Sequence, residues 1–152
     1  MEFIPFTPDR ADDVARLEAE CFGTNAWSRT AVLESAARED FVLFLAVDEG
    51  GRTLGYIDGF FVCSELDICN LAVGTEDRRR GVGSFLLRGL LSWAKEQGIG
   101  RVTLDVRASN AAAKSLYEKA GFVPCGTRRS FYAHPTEDAA LYEITITLPA
   151  RA

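Results

Sequence analysis

An apolar run, Leu71-Ala72-Val73, leads through the charged segment Gly74–Arg80 into Gly81-Val82-Gly83-Ser84. The helical stripe Leu86, Leu90, Trp93 and Ala94 follows, and Gly98 closes it as a C-terminal glycine. No other feature limits the possible folds as much. A strand must reach a helix start through a loop, with glycines where the helix opens. The first N–H groups of a helix have no partner within it, and the helix dipole adds about half a positive charge there. Glycines let a ligand approach the backbone closely, so this is a physical anion site suited to a pyrophosphate, and the arginines of the loop strengthen it. The same string also fits a plain helix start beside a solvated basic loop. The two glycines alone do not separate these readings.

Two other phosphate motifs can be tested against it. A P-loop needs Gly-Lys-Ser/Thr, which the chain lacks. A dinucleotide fingerprint needs a third glycine at position 86, where Leu86 stands, and glycines directly after the strand, where seven other residues intervene. Asp105 does lie about 20 residues on, where that fold keeps a ribose-binding acid, so the dinucleotide reading has one match and two failures.

The rest of the chain mixes strand and helix periods. Glu2–Phe6 reads as a strand, and Thr7-Pro8 as a cap and first turn before a helix carrying Val14, Leu17 and Cys21 on one face. Phe22–Trp27 reads as a loop, and Ser28 caps a second helix to about Arg38. Phe41–Val47 and Leu54–Cys63 form a hairpin around Asp48-Glu49-Gly50-Gly51, and Glu65–Val73 is the next strand. Arg101–Val106 alternates, with Val102, Leu104 and Val106 facing one way. Asn110 caps a last helix that Gly121 closes, and Phe122–Tyr132 and Leu141–Leu148 finish as strands. Hairpins with helices inserted later predict a mixed α+β sheet covered on its faces.

The length of 152 residues predicts a single domain spanning 1–152. A net charge of −5 argues against unspecific nucleic-acid binding, yet an acidic surface can attract a basic peptide. The start, Met1-Glu2-Phe3-Ile4-Pro5, has neither the basic nor the apolar region of a signal peptide, and no stretch is apolar enough to span a membrane. A cytoplasmic location is expected. Cys21, Cys63, Cys69 and Cys125 form no Cys-x-x-Cys pair, and the chain has a single histidine, His134, so no metal site is expected and the thiols read as free and buried.

Arg78-x-x-Gly81-x-Gly83 resembles the acyl-CoA pyrophosphate motif of the GCN5-related N-acetyltransferase (GNAT) superfamily. Leu104-Asp105-Val106-Arg107-Ala108-Ser109-Asn110, then Ala111-Ala112-Ala113 and Leu116-Tyr117-Glu118-x-x-Gly121-Phe122, resemble the RimI family of ribosomal protein S18 alanine N-acetyltransferases. Trp27-Ser28, Arg128-Arg129 with Phe131-Tyr132, and Glu137-Asp138-Ala139 fall at similar places, so the likeness covers nearly the whole chain. It implies a mixed, mostly antiparallel sheet of about seven strands with helices on both faces, acetyl-CoA as co-substrate, a protein N-terminus as acceptor, and a monomer by default. Residue by residue, it implies that Leu71, Ala72 and Val73 hold the pantetheine arm, that Arg79, Arg80, Gly81, Val82, Gly83 and Ser84 form the pyrophosphate loop, and that Asn110 contacts the cofactor as well as capping its helix. Asp105 matches the general base and Tyr117 the general acid. The departures are Asp105 where the family usually has glutamate, Gly74-Thr75 where it often has Asp-Pro, and Ala26 where proline often precedes Trp-Ser. The bland readings are an Asp105 salt bridge with Arg107 or Arg128, and a half-buried helical Tyr117. Two rival functions keep the same glycine turn: transfer to a small amine, and acyl-CoA binding without catalysis; the aromatic Trp27, Phe131 and Tyr132 fit the lining of a peptide groove or of a small pocket alike.

Overall fold

Phe41–Val47 (β2) is apolar at every position and almost wholly buried, which places it inside a sheet covered on both faces. The computed structural model describes residues 1–148. Seven strands form one sheet in the order β1-β2-β3-β4-β5-β7-β6. The other strands are β1 (Glu2–Pro5), β3 (Thr53–Val62), β4 (Glu65–Val73), β5 (Arg101–Arg107), β6 (Val123–Tyr132) and β7 (Glu137–Thr145), and the helices are α1 (Ala11–Phe22), α2 (Arg29–Ala36), α3 (Val82–Glu96) and α4 (Ala111–Lys119). Every pairing is antiparallel except β4 with β5. The expected mixed, mostly antiparallel α+β sheet is therefore present.

The helices cover both faces. Val14 and Leu17 of α1 and Val32 of α2 pack on Leu43, Leu45 and Tyr56. On the other face Leu86, Leu87 and Leu90 of α3 meet Phe44, Ile57 and Leu104. Ser28 caps α2 by accepting from the Ala31 N–H at 3.1 Å. Among the described residues, no helix is long and apolar enough to cross a membrane.

Some boundaries differ from the sequence expectation. The helix after Thr7 begins as a 3-10 turn, Pro8–Arg10, and the Thr7 side chain makes no cap bond. The last strand starts at Glu137 instead of Leu141. Its polar first residues are used locally: Glu137 accepts from the Ser109 N–H and Asp138 from the Ser130 N–H. The thiols are free, as expected, but the expectation that they are buried fails for three of them. Only Cys21 is partly buried, while Cys63, Cys69 and Cys125 are exposed. Cys63 sits in the β3–β4 turn with φ 54°, Cys69 on an open face of β4, and Cys125 on the edge strand β6.

The feature that positions the site is the partial pairing of β4. It runs beside β3 throughout but beside β5 only from Glu65 to Ile68, opposite Arg101 to Leu104. At the parting point Asp58 pairs with Asn70 and Gly59 with Ile68, so Cys69 is an extra, bulged residue. A Cβ on Gly59 would come within 2.5 Å of the Asp67 carbonyl, so only glycine permits this approach. The Asp58 carboxyl is 1% exposed and accepts from the Asn70 N–H at 2.9 Å.

Burial pushes the Asp58 carboxyl up to about 8, although the Asn70 N–H pulls the other way. Its folded pKa thus stands above its unfolded value, so its stabilising effect is full at low pH and is lost as pH rises through the folded pKa. Asp58→Asn keeps an oxygen for Asn70 and removes the titration. Between about pH 5.5 and pH 9, the stability of the variant relative to wild type should rise by roughly 3 kcal/mol, read from thermal or urea unfolding. Parallel pH profiles for the two proteins would contradict it.

Candidate active site

Where β4 and β5 part, a cleft opens, with two adjoining cavities that share Cys21, Leu71, Asn110 and Tyr117 in their walls. The larger, about 710 Å³, is walled by the end of β4, the charged loop, the start of α3 and one face of α4. Leu71, Ala72 and Val73 line it, as do Arg79, Gly81, Val82, Gly83 and Ser84. Asn110 and Tyr117 also line it. The smaller, about 500 Å³, opens beyond them and is lined by Glu18, Trp27, Cys69, Asp105, Arg107 and Tyr132 among others.

Gly81 is the N-cap of α3 with φ 79°, a left-handed conformation that costs glycine nothing. No side chain caps this helix, and its first backbone bond runs from Phe85 N to Gly81 O. The N–H groups of Val82, Gly83 and Ser84 are therefore outside the helical ladder. A Cβ at Gly81 would meet nothing within 4 Å, and one at Gly83 would make only ordinary contact, with Leu116 at 3.4 Å and Val73 at 4.0 Å, so the helix start is uncrowded. The cradle fits a phosphate group.

Arg80 is placed differently from the other predicted loop residues. Its guanidinium turns away and pairs with Asp77 at 3.1 Å, beside a separate hollow. Asp77 is 2% exposed and also takes a two-pronged contact from Arg52, at 2.8 and 3.0 Å. The Arg52 guanidinium, with Arg80 beside it, holds the Asp77 carboxyl below the usual carboxylate range. Asp77 is thus the anchor of the loop that leads into α3. Sequence reasoning missed it because an acid after Glu76 and before three arginines, in a polar loop, looks like a solvated one. Arg78 folds back, reaching the Val73 carbonyl at 3.4 Å and the Cys21 thiol at 3.6 Å. Arg79, with φ 64°, lines the cavity. Lys119 and Ser115 also line it and were missed. Their signal was the spacing 112, 115, 116, 119 along α4, one helical face.

Asn110 accepts from the Ala113 N–H at 3.0 Å, so the expected cap is present at the mouth of both cavities. Asp105 stands on the β5 face opposite the buried stripe Val102, Leu104 and Val106. Its suggested structural partners are occupied elsewhere: Arg107 pairs with Glu137 at 3.3 Å, and Arg128 lies over the Phe131 ring. Among the described residues Asp105 makes no ion pair. Arg107 also stacks on Tyr132, 4.6 Å from the ring centre, and so fixes a wall of the smaller cavity. Phe131, expected beside Tyr132, is instead 47% exposed and does not line that cavity.

Tyr117 lines both cavities and is 7% exposed, its ring edge-on to Phe122 at 5.6 Å. Burial pushes its phenol up to about 12. Glu18, missed in the sequence, is 2% exposed at the floor of the smaller cavity, where it accepts from the Trp27 N–H at 3.0 Å and from the Tyr56 hydroxyl.

The family model described as acetyltransferase (GNAT) family matches residues 11–122. An Escherichia coli (strain K12) ribosomal protein bS18-alanine N-acetyltransferase is 36% identical over 101 residues, 66% of this chain and 67% of that one. A Bacillus subtilis (strain 168) protein, given the same name provisionally, is 31% identical over 135 residues, 89% of each chain. The crystal structure of the ribosomal-protein-S18-alanine N-acetyltransferase from Escherichia coli superposes with TM-score 0.88 at 26% identity, covering 98% of this chain and 96% of that one. Sheet, glycine turn and sequence therefore agree: this chain belongs to the acetyltransferase (GNAT) family and is an N-acetyltransferase of the RimI type.

Proposed function

We propose that the protein moves the acetyl group of acetyl-CoA to the α-amino group of a protein N-terminus, an alanine such as that of ribosomal protein S18, in the cytoplasm. The observation that carries this reading is the cleft itself. An anion cradle lies on one side, an unpaired Asp105 on the other, and Tyr117 stands where the two cavities meet. The names of the relatives supply the acceptor.

On the cofactor side, the N–H groups of Val82, Gly83 and Ser84 with Arg79 hold the pyrophosphate. The β4 edge at Leu71–Val73, unpaired towards β5, receives the pantetheine amides. The acetyl thioester is the acyl donor. On the acceptor side, an α-amine with pKa about 8 is roughly one-tenth neutral at pH 7, against far less than a thousandth for lysine. The proton to be removed is thus weakly held. Asp105, one methylene shorter than the family's usual glutamate, takes it through a water. As the amine lone pair forms the N–C bond, the C–S bond breaks and its electrons stay on sulfur. Tyr117 then donates its proton to that sulfur.

A phenol near 12 facing a thiol with ordinary pKa near 8.5 would transfer its proton about 5 kcal/mol uphill. Backbone N–H dipoles beside the developing thiolate narrow that gap by stabilising the sulfur's charge until the proton arrives. Positioning of thioester and amine between β4 and β5 supplies the rest.

Three variants test this reading in a thiol-release assay with peptides bearing a free N-terminal alanine. Asp105→Asn should lower kcat roughly 100-fold at pH 7, the deficit shrinking towards pH 9 as the amine loses its proton unaided. Tyr117→Phe should lower kcat roughly 10- to 100-fold with acetyl-CoA binding retained. Full rate in both variants would overturn the site assignment, and tight acetyl-CoA binding without turnover on any amine would overturn the enzyme reading in favour of a sensor. Asp77→Asn, which releases Arg52 and Arg80, should raise the KM for acetyl-CoA about tenfold while leaving kcat within about twofold. An unchanged KM would separate Asp77 from the loop's function.

A further inference from the structure

Among the described residues three acids are buried, and two have an evident way to tolerate it. Asp77 has two arginines. Asp58 is pushed up towards its neutral form. Glu18 has neither an arginine nor a lysine: among the described residues no cation lies within ion-pair distance. Its two contacts, the Trp27 N–H on Oε2 and the Tyr56 hydroxyl on Oε1, are neutral donors. A buried carboxylate without a counter-charge is costly, and a structural role alone is served as well by a neutral acceptor. Each oxygen keeps a second lone pair, and the residue lines the acceptor cavity with Trp27, Asp105 and Tyr132.

We propose that the missing cation is the acceptor's own: Glu18 binds the α-ammonium group of the incoming N-terminus. This rests on the N-terminal acceptor proposed above. At pH 7 about nine-tenths of an α-amine arrives charged. Glu18 meets that majority form at the cavity floor, its two oxygens already held by Trp27 and Tyr56 from different elements. The aromatic walls around Glu18 lower the local dielectric and so strengthen the pairing. Asp105, on β5, then receives the proton through water. Capture and deprotonation belong to separate carboxylates. Glu18 also discriminates: an N-terminus already acylated presents no cation and is refused.

The test compares binding of two hexapeptides to the full-length protein saturated with CoA, by calorimetry. One begins with free alanine; in the other a propionyl group replaces that alanine, removing only the amine. Wild type should bind the amino peptide at least tenfold more tightly. Glu18→Gln should bring the two within about twofold by weakening the amino peptide alone. It should also raise the acceptor KM about tenfold without lowering kcat or changing the KM for acetyl-CoA. Equal weakening of both peptides would show a merely structural Glu18 and overturn the proposal. Tyr56→Phe keeps the charge and frees a lone pair, so the preference should persist or grow; its loss would also overturn it. Should Glu18→Gln fail to fold, equal binding of the two peptides to wild type is decisive against it without any variant. A second peptide pair with lysine or norleucine at position 2 identifies the source of the cation, and a preference that follows this lysine overturns the α-ammonium assignment. If wild type acetylates no N-terminal peptide, the proposed function falls and this inference with it. If it does so without a Glu18-dependent preference, only this inference falls.

Discussion

The site depends on one interrupted ladder. β4 and β5 are the sheet's parallel pair, and they stay together for four residues on each strand before separating. Two strands leaving a shared ladder expose backbone N–H and C=O groups, which normally must find partners. Here the separation is arranged. The bulge at Cys69 turns β4, Gly59 admits the close approach, and the Asp58 carboxyl takes the Asn70 N–H. β5 continues straight because β7 holds its other edge as far as Arg107. The unpaired stretch Leu71–Val73 then offers amide groups to an extended ligand in the way a neighbouring strand would. Without the bulge, β5 would occupy that edge and no cleft would exist.

Charge is distributed with the same economy. The protein carries a net charge of −5, yet its donor side must hold a polyanion. The helix start answers this with backbone N–H groups, which need no net charge. Asp77 absorbs Arg52 and Arg80 and so stiffens the loop, leaving Arg79 towards the cavity. The acceptor side carries the acids, Glu18 and Asp105, in a separate hollow.

Much of this was legible in the sequence wherever a local rule carries the information. The glycine at an αL helix cap, the Asn110 and Ser28 caps, and the alternating Val102, Leu104 and Val106 each announce their conformation through neighbours only a few residues away. What was hidden depends on contacts between distant elements. Glu18 sits on an amphipathic helix among Glu20 and Asp13 and reads as another solvated acid; its burial comes from Tyr56, 38 residues on. Asp58 interrupts an apolar strand, and nothing nearby says that it fills a bulge 12 residues away. Arg80 reads as one of three equivalent arginines until Asp77 selects it. The thiols went wrong for a related reason. Cysteine is buried on average, but Cys125 lies on an edge strand and Cys63 in a hairpin turn.

The aspartate at position 105 is where the departure from the family is easiest to reconcile with chemistry. A shorter base is a handicap when the amine holds its proton tightly, as lysine does, and a minor one when the amine is nearly neutral already. Asp105 has no cation to fix or quench it, since Arg107 is committed to Glu137 and stacked on Tyr132. A water between carboxylate and amine therefore has room in the acceptor cavity and a partner on both sides. If Asp105 is the base, its shorter reach is therefore least costly where the acceptor is an N-terminal amine, because that amine gives up its proton more readily than a lysine does.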